Sequence, residues 1–380
     1  MRFTIGLSRG IRVAVGALLL PLPLLLTGLS EPPRARLAES TIPHSAAKIR
    51  AVGERESKLA RVGTDESSPQ SVVPSDEDTP ATKHVILVVL DGLKWQDVFG
   101  LAPDAAGAMP TLRRFMYVDG AVVGAPERGN PMAASGPNYI SLPGYVEMLT
   151  GHPSECQANE CVLPRLHTVV DDLPGQSVIL SSWETIGPIV RSEKAAVSSG
   201  RNFAFGTFDP YTQRDIDAAK GVDPAPGLYD FRPEALTAAI AIDVVRREAP
   251  QFLFIGFGET DEQAHRGERE KYILAMRAAD AFLLRLETTL DETGLAASTA
   301  ILVTTDHGRS DGFRDHGATW PESKRVWLVA KGAGIAARGP VADASERTLS
   351  NVAPTIRALL GVAATGDDGA VEPLRELTLR

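Results

Sequence analysis

Acidic and imidazole side chains occur in this chain at points where predicted buried strands end. Each of three aspartates follows an apolar run typical of a buried strand, and histidines follow two of them closely. The aspartates are Asp91, Asp261 and Asp306, and the histidines are His265, His307 and His316. Because ligands of open α/β sheets bind outside the carboxyl ends of the strands, these side chains can converge in one crevice. Carboxylate oxygens and imidazole nitrogens are ligands of Zn²⁺ and similar divalent ions, so the pattern indicates a metal-dependent enzyme.

A serine at the predicted start of a helix could supply the reacting group. The segment from Asn138 to Gly151 predicts a helix that begins at Ser141, with Pro143 in its first turn, where a missing N–H is harmless. Such a serine is either an N-cap or a nucleophile. As a nucleophile it would lie where backbone amides favour negative charge and where a metal can activate its oxygen. The residues alone leave both roles open.

The order of the predicted elements indicates the fold class. Predicted strands lie at His84–Leu90, Ser177–Ser181, Phe252–Phe257, Thr299–Thr304 and 325–330, and predicted helices at 110–116, 268–293 and Val352–Leu360. Strands that alternate with helices predict an α/β fold, with a doubly wound, mostly parallel sheet and helices on both faces. We expect this domain to span residues 84–363, followed by a C-terminal tail over 364–380. The segments 120–138 and 200–233 lack this alternation and predict long loops beside the site.

The N-terminal segment has the composition of an export signal. Arginines precede a short apolar run that contains Pro21 and Pro23, and small residues follow it, as is typical of a secretory signal peptide. We expect a signal peptide at 1–30 and a disordered linker at 31–83, which has no sustained apolar period. The alternative is an uncleaved membrane anchor. The expected location is periplasmic or extracellular, with no stable membrane span once the signal is removed.

The net charge bears on the binding partners, and the two cysteines bear on a possible disulfide. The formal net charge of −9 and the lack of a long basic block argue against nucleic acid as a structural partner. Cys156 and Cys161 are the only cysteines. In an oxidising compartment they would form a local disulfide that pins a loop, and two free thiols are the alternative. The oligomeric state stays open.

Taken together, these motifs resemble those of the alkaline phosphatase superfamily. The resemblance runs from about residue 84 to residue 361, and the motifs occur in the family's order. They are Asp91-Gly92, Ser141-x-Pro143 with Thr150-Gly151, Asp261-x-x-x-His265, Asp306-His307-Gly308, His316-Gly317 and Ala353-Pro-Thr-Ile-x-x-Leu-Leu-Gly361. The superfamily includes nucleotide pyrophosphatase/phosphodiesterases, sulfatases and cofactor-independent phosphoglycerate mutases.

The resemblance implies a two-metal site and a covalent mechanism. One divalent ion would be held by Asp91, Asp306, His307 and Ser141, and the second by Asp261, His265 and His316. Zn²⁺ is the expected metal, with Mn²⁺ or Fe²⁺ as alternatives. Ser141 would attack the phosphorus of a small-molecule phosphate ester and form a phosphoseryl enzyme, which water then hydrolyses. Asn138 and Arg309 are candidate substrate-binding residues because they lie near the motif residues in sequence.

Departures from the family motifs bear on the substrate. Tyr145 stands where a sulfatase would have arginine, which disfavours sulfatase activity. Ser-Leu-Pro-Gly at 141–144 differs from the Thr-Phe-Pro-Asn that is typical of the pyrophosphatase/phosphodiesterase branch. We therefore expect an exported, metal-dependent hydrolase of phosphate monoesters or diesters. The alternatives are a phosphoryl- or phosphoethanolamine-type transferase and a phosphoglycerate mutase-like or sulfatase-like member of the superfamily.

Overall fold

A mixed sheet of eight strands forms the centre of the fold. The computed structural model describes residues 82–128, 131–200, 230–342, 345–366 and 371–379. The strands are β1 His84–Leu90, β2 Gly120–Val123, β3 Met132–Ala133, β4 Ser177–Ser181, β5 Ala195–Ser199, β6 Phe252–Phe257, β7 Thr299–Thr304, β8 Arg325–Val326, β9 Leu328–Gly332 and β10 Gly339–Pro340. The sheet order is β10-β2-β9-β7-β1-β6-β4-β5, and β3 pairs with β8 separately. The predicted signal peptide, nearly all of the predicted linker and most of the segment 200–233 lie outside the described residues.

β1 lies inside the sheet, and its two neighbours run parallel to it. β6 and β7 flank β1, and β4 and β5 continue the parallel array beyond β6. β9 is antiparallel to both β7 and β2. Val85 and Leu87 belong to an apolar cluster on one face of the sheet, and Ile86 and Val88 belong to a cluster on the other. Because both faces are buried, residues 85–90 of β1 form an uninterrupted apolar run.

Helices cover both faces of the sheet. They are α1 Trp95–Val98, α2 Pro110–Arg114, α3 Ser141–Thr150, α4 Val169–Asp172, α5 Glu234–Arg247, α6 Glu259–His265, α7 Arg269–Glu292 and α8 Val352–Leu360. Ile240 in α5 and Tyr272 in α7 pack into one apolar cluster, whereas Leu149 in α3 and Ile356 in α8 pack into the other. The predicted α/β class, with a mostly parallel sheet and helices on both faces, is confirmed. Within the described ranges, no helix has the length and apolar character needed to cross a membrane.

The sequence patterns predicted the long buried strands better than the short ones. The prediction of a continuous loop over 120–138 was wrong in part, because Gly120–Val123 pairs with β9 and Met132–Ala133 pairs with β8. The predicted strand at 325–330 is divided into β8 and β9, which belong to different sheets. The patterns also miss the strand β5 and the helix α5. Short strands such as β2, β3 and β5 are stabilised by their partners across the sheet, which a local pattern does not contain.

The chain beyond α8 also packs on the domain. Leu374 and Leu377 are buried in the same apolar cluster as α3 and α8. An isolated bridge joins Ile335 to Thr378. The segment that we predict as a tail therefore contributes to the core.

A glycine allows α3 to lie against the chain that follows β7. A Cβ built on Gly144 would lie 2.4 Å from the backbone oxygen of Asp306. No side chain can be accommodated at that distance unless the helix or the strand end moves. Gly144 therefore sets the spacing between the helix that begins at Ser141 and the strand end that carries Asp306.

We predict that Gly144→Ala lowers the free energy of unfolding. Alanine gains roughly 0.5–1 kcal/mol over glycine inside a helix, but overpacking against a backbone atom costs roughly 1–3 kcal/mol, so a net loss is expected. Denaturant unfolding measures the difference. Gly312→Ala is the matched control, because its nearest contact would be an ordinary 3.6 Å. A stability gain in Gly144→Ala would show that the helix does not depend on this close approach.

Candidate metal centre

Neighbouring strand ends bring the predicted aspartates together. β1 and β7 are paired, so Asp91 and Asp306 follow adjacent strands. β6 lies on the other side of β1 and leads into α6, whose first turn carries Asp261. Asp91, Asp261 and Asp306 are 3%, 7% and 0% exposed, respectively. The parallel strand order therefore collects three buried carboxylates at one edge of the sheet.

Asp91, Asp306 and His307 form one group of candidate ligands, with ligand atoms within 4.8 Å of one another. His307 Nε2 lies 3.4 Å from Asp91 Oδ1 and 3.4 Å from Asp306 Oδ2. The backbone N–H of Gly92 donates to Asp306 Oδ1 at 3.0 Å. Asp306 Oδ2 is buried and has no hydrogen-bond partner among the described residues. A buried carboxylate oxygen without a donor is costly, and a cation at this group would satisfy it.

Asp261, His307 and His316 form the second group, again with ligand atoms within 4.8 Å of one another. His316 Nε2 lies 3.6 Å from Asp261 Oδ1. His265 lies beside this group, with its Nε2 3.0 Å from Asp261 Oδ2 and 2.9 Å from His316 Nε2. The three residues that the resemblance assigns to a second ion are thus neighbours, and His307 is common to both groups.

Backbone carbonyls orient two of the histidine rings. His307 Nδ1 lies 2.8 Å from Gly308 O, and His316 Nδ1 lies 2.9 Å from Tyr139 O. An Nδ1–H that donates to a carbonyl leaves the lone pair on Nε2. In both residues Nε2 is the nitrogen that faces the carboxylates. This tautomer is the one that a metal ligand requires.

Burial and repulsion between the carboxylates shift their pKa values. Burial, with repulsion from Asp306 and Asp261, raises the pKa of Asp91 well above its usual range. Burial also raises the pKa of Asp306, to about 7. Burial acts in the same direction on Asp261, but nearby positive charges, above all Arg309, outweigh it and hold that pKa well below its usual range. Burial lowers the pKa of His307, so its ring is neutral at pH 7. A divalent ion would favour ionisation of the first two carboxylates.

Ser141 is the first residue of α3, and its hydroxyl faces the first group. Its Oγ lies 3.4 Å from Asp91 Oδ1 and 3.3 Å from His307 Nε2. The N-cap position belongs to Ile140, and no side-chain cap hydrogen bond is present there. The geometry therefore does not support an N-capping role for this serine.

Tyr145 is a site residue whose role the sequence patterns do not identify. Its hydroxyl donates to Asp91 Oδ2 at 3.0 Å, and its ring packs against Trp183 and Phe254. This hydrogen bond holds the Asp91 carboxylate with its other oxygen toward Ser141. The spacing of four residues between Ser141 and Tyr145 places them on one face of α3, and that spacing is the signal that could have revealed the contact.

Arg309 supports the loop that carries His316. Its side chain is 1% exposed. The guanidinium pairs with Asp261 and donates to the backbone oxygens of Phe313 and Arg314 at 2.7 and 2.8 Å. Phe313 has a φ of 76°, which is strained for a residue other than glycine. The structure gives Arg309 a supporting position, and its role in substrate binding stays a prediction.

A disulfide closes a short loop beside the start of α3. Cys156 and Cys161 are joined, with their Cα atoms 5.8 Å apart. Within the loop, Asn159 Oδ1 accepts a hydrogen bond from the backbone N–H of Leu142 at 3.0 Å. The loop thus satisfies a backbone donor in the first turn of the helix that Ser141 begins.

Asn138 also lies near this end of α3. Its Nδ2 donates to Gln157 O at 2.6 Å, and its Oδ1 accepts from the backbone N–H of Ala318 at 3.3 Å. The side-chain amide therefore bridges two loops. Its role in substrate binding stays a prediction.

Among curated proteins, two phosphoglycerate mutases are similar to parts of this chain. The chain is 30% identical over 207 residues to the 2,3-bisphosphoglycerate-independent phosphoglycerate mutase of Natronomonas pharaonis, a match that covers 50% of this chain and 37% of the mutase. It is 27% identical over 142 residues to 2,3-bisphosphoglycerate-independent phosphoglycerate mutase 2 of Methanosarcina acetivorans, covering 37% of this chain and 26% of that protein. The match thus spans well under half the length of either mutase.

Several solved structures have a similar fold. Wild-type alkaline phosphatase PafA aligns with a TM-score of 0.56 and 11% identity, over 79% of this chain and 99% of that chain. A putative sulfatase from Bacteroides thetaiotaomicron aligns with a TM-score of 0.56 and 13% identity, over 79% and 75% of the two chains. The phosphonate monoester hydrolase SpPMH from Silicibacter pomeroyi aligns with a TM-score of 0.53 and 14% identity, over 77% of this chain and 76% of that chain. At these identities the likeness shows the fold alone.

A family model agrees with the fold and with the motifs. The model for type I phosphodiesterase / nucleotide pyrophosphatase matches residues 167–372, which is more than half of the chain. The matched range contains the second group of candidate ligands and, from the first group, Asp306 and His307. Asp91 and Ser141 precede it. The chain belongs to the type I phosphodiesterase / nucleotide pyrophosphatase family, within the alkaline phosphatase superfamily.

Proposed function

We propose that this chain is an exported, metal-dependent hydrolase of small phosphate esters in which Ser141 is the nucleophile. The observation that carries the proposal is the position of the Ser141 hydroxyl, 3.4 Å from Asp91 Oδ1 and 3.3 Å from His307 Nε2. Nucleophilic serines are activated by a neighbouring base or by a metal, and this hydroxyl lies beside candidates for both. Membership of the phosphodiesterase family supports phosphoric ester chemistry.

The candidate ligands fit two divalent ions. Asp91, Asp306 and His307, with the Ser141 oxygen, would hold one ion, and Asp261, His265 and His316 would hold the other. We propose Zn²⁺, because sites of mixed carboxylate and imidazole ligands suit it, with Mn²⁺ or Fe²⁺ as alternatives. When bound, the ions would supply Lewis acidity to the phosphoryl oxygens and to the serine oxygen.

The chain's own residues position the nucleophile. In the proposed reaction Ser141 Oγ attacks phosphorus and the alcohol of the ester leaves, and water then hydrolyses the phosphoseryl enzyme. The serine O–H donates toward Asp91 Oδ1, and Tyr145 holds the other oxygen of that carboxylate. Backbone amides at the start of α3 favour the negative charge that develops on the phosphoryl group.

Export is part of the proposal. The expected signal peptide at residues 1–30 supports it, and so does the disulfide between Cys156 and Cys161, which persists in oxidising compartments. The proposed location is therefore periplasmic or extracellular.

A second candidate function is phosphoryl transfer between two hydroxyls of one substrate. The similarity to two phosphoglycerate mutases favours it, and a phosphoseryl enzyme could donate to a substrate hydroxyl instead of water. Incubation with 3-phosphoglycerate, followed by phosphorus NMR, separates the two functions. Formation of 2-phosphoglycerate without free phosphate would favour transfer, and release of phosphate would favour hydrolysis.

We predict that Ser141→Ala abolishes turnover and keeps bound metal, because the carboxylate and imidazole ligands remain. Asp306→Ala is expected to lose both metal and turnover. Metal per chain by elemental analysis and the hydrolysis rate measure these effects. Ser192→Ala, in the segment before β5, is the control for a serine outside the site. Retained activity in Ser141→Ala would refute the covalent mechanism.

We predict that Tyr145→Phe lowers the affinity for Zn²⁺ or the hydrolysis rate by about 10–100-fold, as the loss of a partner that orients a metal ligand typically does. The phenyl ring keeps the packing against Trp183 and Phe254, so the fold should be retained. Competition with a chelator gives the zinc affinity. Tyr117→Phe, outside the site, is the matched control. Equal zinc affinity and equal hydrolysis rates in the two variants would show that Tyr145 does not orient a metal ligand.

The experiment that tests the substrate class compares an aryl phosphate monoester with the matching diester. The zinc-loaded chain is assayed on both, with Ser141→Ala as the blank. A preference for the diester would agree with the family model, and a preference for the monoester would make the enzyme a phosphatase. The absence of hydrolysis of either ester by a metal-loaded chain would contradict the proposed hydrolase.

A further inference from the structure

A cavity of about 460 Å³ lies next to the C-terminal half of α3. It is lined by Val146 and Thr150 of α3, by the disulfide between Cys156 and Cys161, and by Arg357 of α8. The volume falls in the range of small-molecule sites, about 300–1,000 Å³. None of the proposed metal ligands lines it, and Ser141 begins α3 whereas Thr150 ends it. The cavity is therefore separate from the metal centre.

The walls of the cavity are largely apolar. Leu163, Pro164 and Leu166 face it from the segment before α4, and Val162 adds to the same wall. Val162 is 91% exposed, so it lies where the cavity meets solvent. Such a surface fits the apolar part of a ligand better than it fits water.

Polar and charged side chains interrupt this apolar lining. Besides the Arg357 cation they include His152, Ser154, Glu155 and His167, and Glu155 is exposed to solvent. Arg357 is 3% exposed, and its Nη1 is buried with no hydrogen-bond partner among the described residues. Its Nε donates to Asp172 Oδ2 at 2.6 Å. Asp172 is also approached by His167 Nε2 at 2.8 Å and by the backbone N–H and hydroxyl of Thr365. A single carboxylate is thus shared among several donors, and the guanidinium retains donor capacity.

We propose that this cavity binds a small carboxylate with an apolar chain, with the carboxylate on Arg357 and the chain against Val162, Leu163 and Leu166. A guanidinium matches a carboxylate in charge and geometry. A buried donor without a partner is costly, and a carboxylate that reached Nη1 would remove that cost. The ligand is neither a phosphate ester nor a substrate of the metal centre, so the proposal does not depend on the proposed hydrolase activity.

Octanoate is the probe, and octan-1-ol is its uncharged counterpart. Both are titrated calorimetrically into the full metal-loaded chain. We expect one octanoate per chain, bound roughly tenfold more tightly than octan-1-ol, because a hydrogen bond to a charged group contributes about that factor. Equal affinities would overturn the assignment of the carboxylate to Arg357. No binding of octanoate would overturn the site.

A cavity-filling variant locates the binding without disturbing the Arg357–Asp172 ion pair. Leu166→Trp places a larger side chain at the partly buried wall of the cavity, so octanoate binding should be lost. Leu284→Trp, at a half-exposed position on α7, is the matched control and should bind as the parent chain does. Unchanged binding in Leu166→Trp would show that octanoate binds elsewhere, the metal centre included, and would refute the proposal.

Discussion

The arrangement of the site depends on three carboxylates that are buried next to one another at one edge of the sheet. Burial, together with repulsion between the like charges, raises the pKa values of Asp91 and Asp306. Among the residues that the structure describes, a permanent cation pairs with one of the three carboxylates, Arg309 with Asp261. The negative charge of Asp91 and Asp306 must be neutralised either by protons or by bound cations. Neutral imidazoles whose lone pairs face the same carboxylates provide ligands for cations, which is the physical reason to regard the cluster as a metal centre.

Much of the surrounding chain serves to hold these groups close together. Gly92 has a φ of 58°, and a Cβ there would lie 2.3 Å from Asp261 Oδ1, so only glycine permits the turn after β1 to pass this carboxylate. On the other side, the buried carboxylate of Glu147 anchors α3. It accepts hydrogen bonds from the backbone and hydroxyl of Ser135 and of Ser350. The position of Ser141 thus follows from contacts along the whole of its helix.

The sequence predicted best those elements whose patterns do not depend on distant partners. β1, β4, β6 and β7 begin and end as predicted, because strands buried on both faces are apolar runs. The aspartates beyond β1, β6 and β7 converge because parallel strands end at one edge. By contrast, β2 becomes a strand only by pairing with β9. The four-residue spacing places Tyr145 on the same face of α3 as Ser141, but its hydrogen bond to Asp91 depends on a distant strand end. The supporting role of Arg309 depends on the backbone of the loop at Phe313, which a local pattern does not contain.

The most informative measurement is the rate of phosphate ester hydrolysis while Zn²⁺ is titrated into the chelator-stripped chain, with bound metal counted at each step. The proposed site predicts that the stripped chain is inactive. It also predicts that activity rises until two ions are bound per chain. Hydrolysis that persists without bound metal, or that reaches its maximum with a single ion, would contradict the two-metal centre.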